Sequence, residues 1–286
     1  AGDRPLSLKF DAGSGYLAAE VSGDGFRLWD AASGALRLNY AAGQVFAATF
    51  SSQPGLLVLG QRGLVRLIDV HTGTERWSTS LSGGDGRDAN VTVLSFSTDG
   101  RRLLAATKRG QAFVLDATDG HQFDEMHDAS VGYFGTGAFD ADATQAVLAD
   151  SWRSARLWRF SDNRLLRLAG HTDRLNAASF SPDGQFVLTA GSDGVVKLWD
   201  AESGDLLDSF MAHDGAIQWN AAGFSPDGED IFSRGRDGVV RLWPMRYETR
   251  DAATLAHLLD CRVAWRIADS TLVPHEIDMP TCAAVH

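Results

Sequence analysis

Cysteine is nearly absent from this chain of 286 residues: Cys261 and Cys282 are its two examples, both close to the C-terminus. They stand either as two reduced thiols or, in an oxidising compartment, as one disulfide pinning the tail. Long apolar runs are missing too. No stretch approaches the roughly 18 apolar residues of a membrane span, and the opening AGDRPLSLKF has no apolar core of signal-peptide length. The expectation is a soluble, cytoplasmic protein with no membrane partner. An excess of basic residues is lacking as well: 26 Lys and Arg stand against 37 Asp and Glu, for a formal net charge of −11. That argues against binding a phosphate backbone, and so against a nucleic-acid partner. The chain has no initiator Met and opens directly on strand-like alternation, which reads as a processed or excised piece of something longer.

What the chain has in quantity is glycine, 30 residues, and a pattern that recurs. The clearest copy is Arg174 to Asp200, RLNAASFSPDGQFVLTAGSDGVVKLWD. Leu175 to Phe180 alternates as a strand, Ser181-Pro182-Asp183-Gly184 supplies turn chemistry, and Phe186 to Ala190 is a second strand. Ser192-Asp193-Gly194 turns again, and Val195 to Trp199 is a third strand. Such a short antiparallel meander cannot cover both its faces, so it needs copies of itself as neighbours. The Phe closing each first strand recurs at Phe10, Phe50, Phe96, Phe139, Phe180 and Phe224, at separations of 40, 46, 43, 41 and 44 residues. The residue closing each third strand is Trp29, Ile68, Leu115, Trp158, Trp199 and Trp243, 18 or 19 residues beyond its Phe. A fixed length within units and variable loops between them mark a repeated structural unit, with a period near the roughly 40–45 residues of a propeller blade.

The residues that close the third strands resemble the WD40 repeat family. Leu28-Trp29-Asp30 and Leu198-Trp199-Asp200 stand where that family puts Trp-Asp, with Ile68-Asp69 and Leu115-Asp116 as weaker versions. The resemblance covers about residues 5–245. It implies an all-β fold, a WD40 β-propeller with six visible four-stranded blades and a degenerate seventh as an option. The outer strands would be Leu36 to Tyr40, Glu75 to Ser80, Gln122 to Met126, Leu165 to Ala169 and Leu206 to Met211. The domain division is then 1–246 for the propeller and 247–286 for a C-terminal extension, a helix plus short strands packing on it. In that extension Asp251 can cap a helix, and Ala253, Leu255, Leu258 and Leu259 lie at near-helical spacing. Whether the ring closes with six blades, takes a seventh from Val263–Ile267 and Thr271–Val273, or draws strands from upstream of Ala1 is open. The tail LAHLLDCRVAWRIADSTLVP also resembles segments that follow WD40 arrays in bacterial multidomain proteins of the STAND ATPase or protein-kinase type.

The same resemblance implies a buried hydrogen-bond tetrad in two units: His171, Thr189, Asp193 and Trp199, then His213, Ser233, Asp237 and Trp243. A catalytic triad built on His171, Asp193 and Thr189 is disfavoured by the repetition, which suits a scaffold. His127 is a candidate for a third network, although Leu148 stands where the hydroxyl belongs. Ala19, Val58 and Ala105 take that position in the first three units, leaving the tetrad doubtful there. A cation precedes the closing position by two residues at Arg27, Arg66, Arg156, Lys197 and Arg241, where the expectation is a methylene stem covering the blade with its head in water, and a cation–π contact with the closing tryptophan is geometrically allowed. The Gly-rich stretch 82–90 reads as a mobile surface loop.

The resemblance further implies that turns joining second to third strands, with the loops entering first strands, gather at one end of the propeller, where they would present Arg62, Lys108, Arg109, Trp152, Arg153 and Arg236. Trp and Arg are favoured at interface hot spots, so this is the candidate partner-binding face. No catalytic, cofactor or metal residues are assigned. A channel enzyme would want converging carboxylates or His at first-strand positions, and Val45, Val91, Phe134, Leu175 and Trp219 are mostly apolar. The leading expectation is a non-enzymatic interaction or sensing module, the recognition part of a larger bacterial signalling or effector protein. Its partner is a protein or an adjoining domain, and the alternative is an assembly scaffold in a homo-oligomer.

Overall fold

The computed structural model describes residues 5–11, 13, 15–21, 25–40, 45–81, 89–150, 152–245, 265–268 and 271–274. Among them, no helix is long and apolar enough to cross a membrane. Five four-stranded antiparallel sheets and one three-stranded sheet follow one another in chain order. Blade 1 is β1 (Pro5–Phe10), β2 (Tyr16–Val21), β3 (Gly25–Asp30) and β4 (Leu36–Tyr40). Blade 2 is β5 (Ala47–Phe50), β6 (Leu56–Gly60), β7 (Leu64–Asp69) and β8 (Thr74–Ser80). Blade 3 is β9 (Val91–Phe96), β10 (Arg102–Thr107), β11 (Gln111–Asp116) and β12 (Gln122–His127). Blade 4 is β13 (Phe134–Phe139), β14 (Gln145–Asp150), β15 (Ser154–Arg159) and β16 (Arg164–Ala169). Blade 5 is β17 (Leu175–Phe180), β18 (Phe186–Gly191), β19 (Val195–Asp200) and β20 (Leu206–Met211). Blade 6 is β21 (Ile217–Phe224), β22 (Asp230–Gly235) and β23 (Val240–Pro244). Successive first strands pack on one another from β1 through β21, so the sheets meet along their inner edges.

Local chemistry explains the hairpins. In blade 5 the Ser181 hydroxyl donates to Asp183 and accepts from the Phe186 N–H at 2.9 Å, while Gly184 takes φ +72°, a left-handed conformation that costs glycine nothing. The Ser-x-Asp pair recurs as Ser97 with Asp99 and Ser225 with Asp227. The Asp that closes a third strand caps the next turn: Asp30 accepts from the Ser33 N–H at 2.8 Å, Asp69 from Thr72 at 3.2 Å and Asp200 from Ser203 at 2.7 Å.

Alternation gives every blade two apolar faces. One carries the closing residue and its cross-strand neighbours, Trp199 and Val187 in blade 5; the other carries Leu188, Val196 and Leu198. The tryptophan-type face always meets the leucine-type face of the preceding blade. Trp199 and Val187 pack with Val147, Ala149 and Leu157 of blade 4. Leu148 and Trp158 pack with Leu104 and Val114 of blade 3. The same arrangement joins blades 2 and 3 through Val58, Val65, Leu103 and Leu115, and blades 1 and 2 through Phe26, Leu28, Leu57 and Ile68.

Blade 6 departs from the expected four strands: no fourth strand pairs with β23 among the described residues. Its leucine-type face is also uncovered. Leu242 is 66% and Val240 61% exposed, whereas Leu198 at the matching place in blade 5 is 7% exposed. The helix expected at 251–259 lies outside the described residues, as do Cys261, Cys282 and the stretch 82–88 of the Gly-rich segment. Asn90, expected in that loop, is instead buried and bridged to Arg62. Contacts divide the chain into Ala1–Pro244 and Met245–His286. The second unit contains an antiparallel hairpin of β24 (Trp265–Ala268) and β25 (Thr271–Pro274).

Gly194 and Gly238 occupy equivalent turns with φ +75° and +78°. A Cβ at Gly194 would lie 2.2 Å from the His213 carbonyl oxygen, whereas one at Gly238 meets nothing within 4 Å. We expect Gly238→Ala to cost about 1 kcal/mol of unfolding free energy for its backbone alone, and Gly194→Ala at least about twice that. Denaturant titration of both variants measures the difference.

Candidate functional site

The blade 5 tetrad is a chain with one direction. The indole of Trp199, which can only donate, gives its N–H to Thr189 Oγ1 at 2.8 Å. Thr189 Oγ1 lies 2.9 Å from His171 Nε2, and His171 Nδ1 lies 2.9 Å from Asp193 Oδ2. A carboxylate only accepts, so the His171 proton sits on Nδ1 and Thr189 donates to Nε2. Burial by itself would raise the Asp193 carboxyl, but hydrogen bonds from His171 and the Thr172 and Val195 N–H groups outweigh it and hold the carboxyl at about 2. No member is left free to attack a substrate. The assembly ties the loop entering blade 5 to its second and third strands.

Blade 6 repeats the chain with looser ends. His213 Nε2 is 3.0 Å from Ser233 Oγ and its Nδ1 is 2.9 Å from Asp237, while Trp243 donates to Ser233 at 3.3 Å. In blade 5 the cation Lys197 reaches across to Ser209 of β20 at 2.9 Å. Blade 6 offers no such strand among the described residues, and Arg241 turns onto Asp237 at 2.8 Å, also touching His213. The hydrogen bond from Arg241, then that from His213, pulls the Asp237 carboxyl well below the usual carboxylate range.

Blade 4 has a different network from the one expected. His127 ends β12 with its side chain exposed, outside any tetrad. Arg156 takes over, donating to Asp128 at 2.6 Å, Ser154 at 2.9 Å and Ser130 at 3.1 Å. Because Leu148 has no hydroxyl, Trp158 donates to Asn163 at 2.8 Å, a residue with φ +52°. The strand cations find oxygen partners: Arg66 pairs with Glu75 and Arg27 with Asn39. The cation–π contact found among the described residues is Arg102 over Phe123, away from the closing tryptophans.

The second-to-third turns and the interblade loops lie together, joined by backbone bonds such as Asp128 N–H to Gly110 O at 2.9 Å and Arg236 N–H to Ala216 O at 2.9 Å. Arg62, Lys108, Trp152, Arg153 and Arg236 are exposed there and Arg109 is half-buried, one turn per blade. The turn carrying Lys108 and Arg109 meets the loop entering blade 4 through the Asp128 N–H to Gly110 O bond, and Arg156, just beyond the Trp152 turn, donates to Asp128 and Ser130 of the same loop. Nothing in the repeat pattern marks Asp150, which organises the Trp152 turn: its Oδ1 accepts the N–H groups of Trp152, Arg153 and Ser154 at 2.9–3.1 Å. Trp152 itself is 68% exposed.

The first strands enclose a cavity of about 540 Å³. Of the positions expected to face it, only Trp219 does. Val45, Val91, Phe134 and Leu175 are buried between blades, because the register slips at the starts of β13 and β17 and the alternation turns these side chains away. Lys9, Thr92, Thr136 and Asn220 line the cavity instead. No group of three or more His, Cys, Asp or Glu side chains among the described residues is placed to hold a metal ion.

A family model for the WD domain, G-beta repeat, matches residues 162–200 and 204–244. Each match begins in the turn before an outer strand, or on the strand's approach, and runs through the next blade's first three strands. The fold is thus the WD40 β-propeller class, and the chain carries WD40 repeats at these residues. A periodic tryptophan protein 2 homolog of Dictyostelium discoideum is 29% identical over 143 residues, 46% of this chain and 14% of that protein. An uncharacterized WD repeat-containing protein of Synechocystis is 28% identical over 134 residues, 46% of this chain and 38% of that protein. Autophagy-related protein 16 of Arabidopsis thaliana is 26% identical over 184 residues, 63% of this chain and 35% of that protein. The chain therefore spans well under half the length of each.

Thr189→Val removes the acceptor of a buried indole and the donor to a buried imidazole, and should cost about 2–4 kcal/mol. Ser233→Ala, at the longer bonds of blade 6, should cost about 1 kcal/mol, and the two variants compared by denaturant titration test the ranking. The depressed Asp193 carboxyl contributes stability that is fully present above its unfolded value near 3.8 and lost as pH falls toward about 2. Thermal unfolding followed from about pH 5 to about pH 2 should therefore decline less steeply in Asp193→Asn than in the parent chain.

Proposed function

We propose that this chain is a non-enzymatic protein-interaction module that holds its partner at the end formed by the second-to-third turns and interblade loops. One observation carries the reading: Trp152 stands exposed on a turn whose three successive N–H groups are fastened to Asp150. A large apolar side chain on a prefixed turn loses little freedom on binding, which is what an anchor at an interface requires. Arg153 beside it and Lys108 and Arg109 on the neighbouring turn supply charge. The WD-repeat relatives carry names as different as periodic tryptophan protein 2 homolog and autophagy-related protein 16. That variety supports a shared scaffold over a shared chemistry. The tail resemblance favours a cytoplasmic recognition role within a larger bacterial signalling protein, and the formal net charge of −11 and the lack of long apolar runs favour a protein over nucleic acid or membrane as partner.

A second reading, assembly of copies, is favoured by the uncovered face of Phe232, Val240 and Leu242. Light scattering separates the two, since a persistent oligomer dispersed by Leu242→Glu would favour assembly. For the leading reading, a variant combining Arg109→Ala, Trp152→Ala and Arg153→Ala should keep its thermal stability and lose at least about tenfold in affinity for a protein retained by the parent chain. Unchanged retention refutes it.

A further inference from the structure

We propose that the partner held at this end is an acidic protein segment lying along the turns of blades 2, 3 and 4. The proposal rests on the interaction reading above and names the chemistry of its partner. Backbone bonds join the three turns into one row. Arg62 bridges to Asn90 in the loop entering blade 3, and the Gly63 N–H donates to the Ala89 carbonyl at 2.7 Å. The Lys108 N–H in turn donates to the Asn90 carbonyl at 3.0 Å, and the Gly110 carbonyl takes the Asp128 N–H at 2.9 Å. This last contact is so close that a Cβ at Gly110 would overlap the Asp128 carbonyl oxygen. Arg156 then links the loop to the Trp152 turn, donating to Asp128 and Ser130 on one side and to Ser154 on the other.

Charge in this row sorts by exposure. The side chains of Asp128 and Asp150 are only 17% and 6% exposed. Burial alone would raise the Asp128 carboxyl, but hydrogen bonds from Ser130 and Arg156 outweigh it and hold the carboxyl at about 2. Asp150 commits Oδ1 to the N–H groups of the Trp152 turn and Oδ2 to the Ser154 hydroxyl. Arg62, Lys108 and Arg153, by contrast, stand exposed. An approaching chain therefore meets cations before it meets these acids. The segment 82–88 lies outside the described residues, but its charges are known from the sequence. With Asp85, Arg87 and Asp88 counted, the stretches 61–64, 82–91, 107–111, 127–134 and 150–156 hold six Lys and Arg against four Asp, in a chain of formal net charge −11. A short acidic segment meets complementary charge along this row, whereas a long polyanion such as nucleic acid also meets the repulsion of the whole chain. Turns already fastened at their bases add little ordering cost on binding.

The test is fluorescence anisotropy of the full chain with labelled N-acetyl-Glu-Asp-Glu-Asp-Leu-Asp-Glu-Asp-Glu-amide, compared with its neutral counterpart carrying Gln for Glu and Asn for Asp. The acidic peptide should bind at least about tenfold more tightly, and the margin should shrink as salt rises from about 0.05 M to about 0.5 M. Lys108→Glu with Arg153→Glu should weaken it by at least about tenfold. Lys108→Gln with Arg153→Gln should weaken it by less, a graded response that a folding defect would not give. Arg101→Glu with Arg164→Glu, the same charge change on exposed residues at the opposite end of blades 3 and 4, should leave the affinity within about twofold. No binding of the acidic peptide, equal binding of the two peptides, or equal effects of the two Glu pairs overturns the proposal. Tighter binding of a short DNA duplex than of the acidic peptide overturns it in favour of nucleic acid. The two readings fail separately. If Trp152→Ala releases a retained protein while the Lys108 and Arg153 reversal leaves the acidic peptide bound, the interaction face stands and the acidic partner falls. If the reversal weakens the peptide and Trp152→Ala does not, the acidic partner stands and Trp152 is not its anchor.

Discussion

A sheet with two apolar faces cannot stand alone in water, and everything in residues 5–244 follows from how those faces are covered. From blade 1 to blade 5 each leucine-type face is closed by the tryptophan-type face of the next blade, and burial at the junctions is nearly complete: Leu148, Trp158, Leu188 and Val196 are all withdrawn from solvent. The stabilisation belongs to pairs of blades and not to single ones. This is why Gly194, pressed against the entry loop of the following blade, is constrained in a way that Gly238 is not.

The same dependence decides polar chemistry that the repeat would otherwise leave identical. Lys197, Arg241 and Arg156 hold one position in three successive third strands, yet they bond a fourth strand, a turn carboxylate and an interblade loop respectively. The difference lies in what stands opposite. Lys197 has Ser209 across the ladder; Arg241 has no described strand there and settles on Asp237. Arg156 finds Asp128 and Ser130 where a blade with His would have placed its imidazole. A repeat residue has no fixed partner until its neighbours are specified.

That is also the line between what the sequence made legible and what it hid. Strand positions and the Ser-x-Asp turns could be read because they depend on residues at constant spacing within one unit, and the His171 and His213 chains because their hydroxyl, Asp and Trp members keep one spacing, Thr189, Asp193 and Trp199 in blade 5 and Ser233, Asp237 and Trp243 in blade 6. The Arg156 network could not, since Asp128 lies 28 residues away in a loop of irregular length. The cavity lining was misread for a related reason. Strands β13 and β17 begin with a register slip, and a slip of one residue exchanges the sides on which side chains stand, so Phe134 and Leu175 went between blades and Thr136 into the cavity. Asn220 carried no signal, because a left-handed residue other than glycine is specified by its tertiary setting.

The two ends of the blades are constrained differently, and this bears on where recognition can reside. At one end, Asp30, Asp69, Asp116 and Asp200 are each committed to closing a turn, so their replacement would disturb the hairpin itself. At the other, the tetrads and the Arg156 network fasten the loops from beneath and leave the turn tips to vary: Arg62 in blade 2, Lys108-Arg109 in blade 3, Trp152-Arg153 in blade 4, Arg236 in blade 6. Hydrogen bonding at the base of these loops does the structural task, which frees the tips from it. A scaffold that separates the two in this way can change its surface chemistry without losing its fold. The exposed Trp152 above its buried Asp150 is the local expression of that separation.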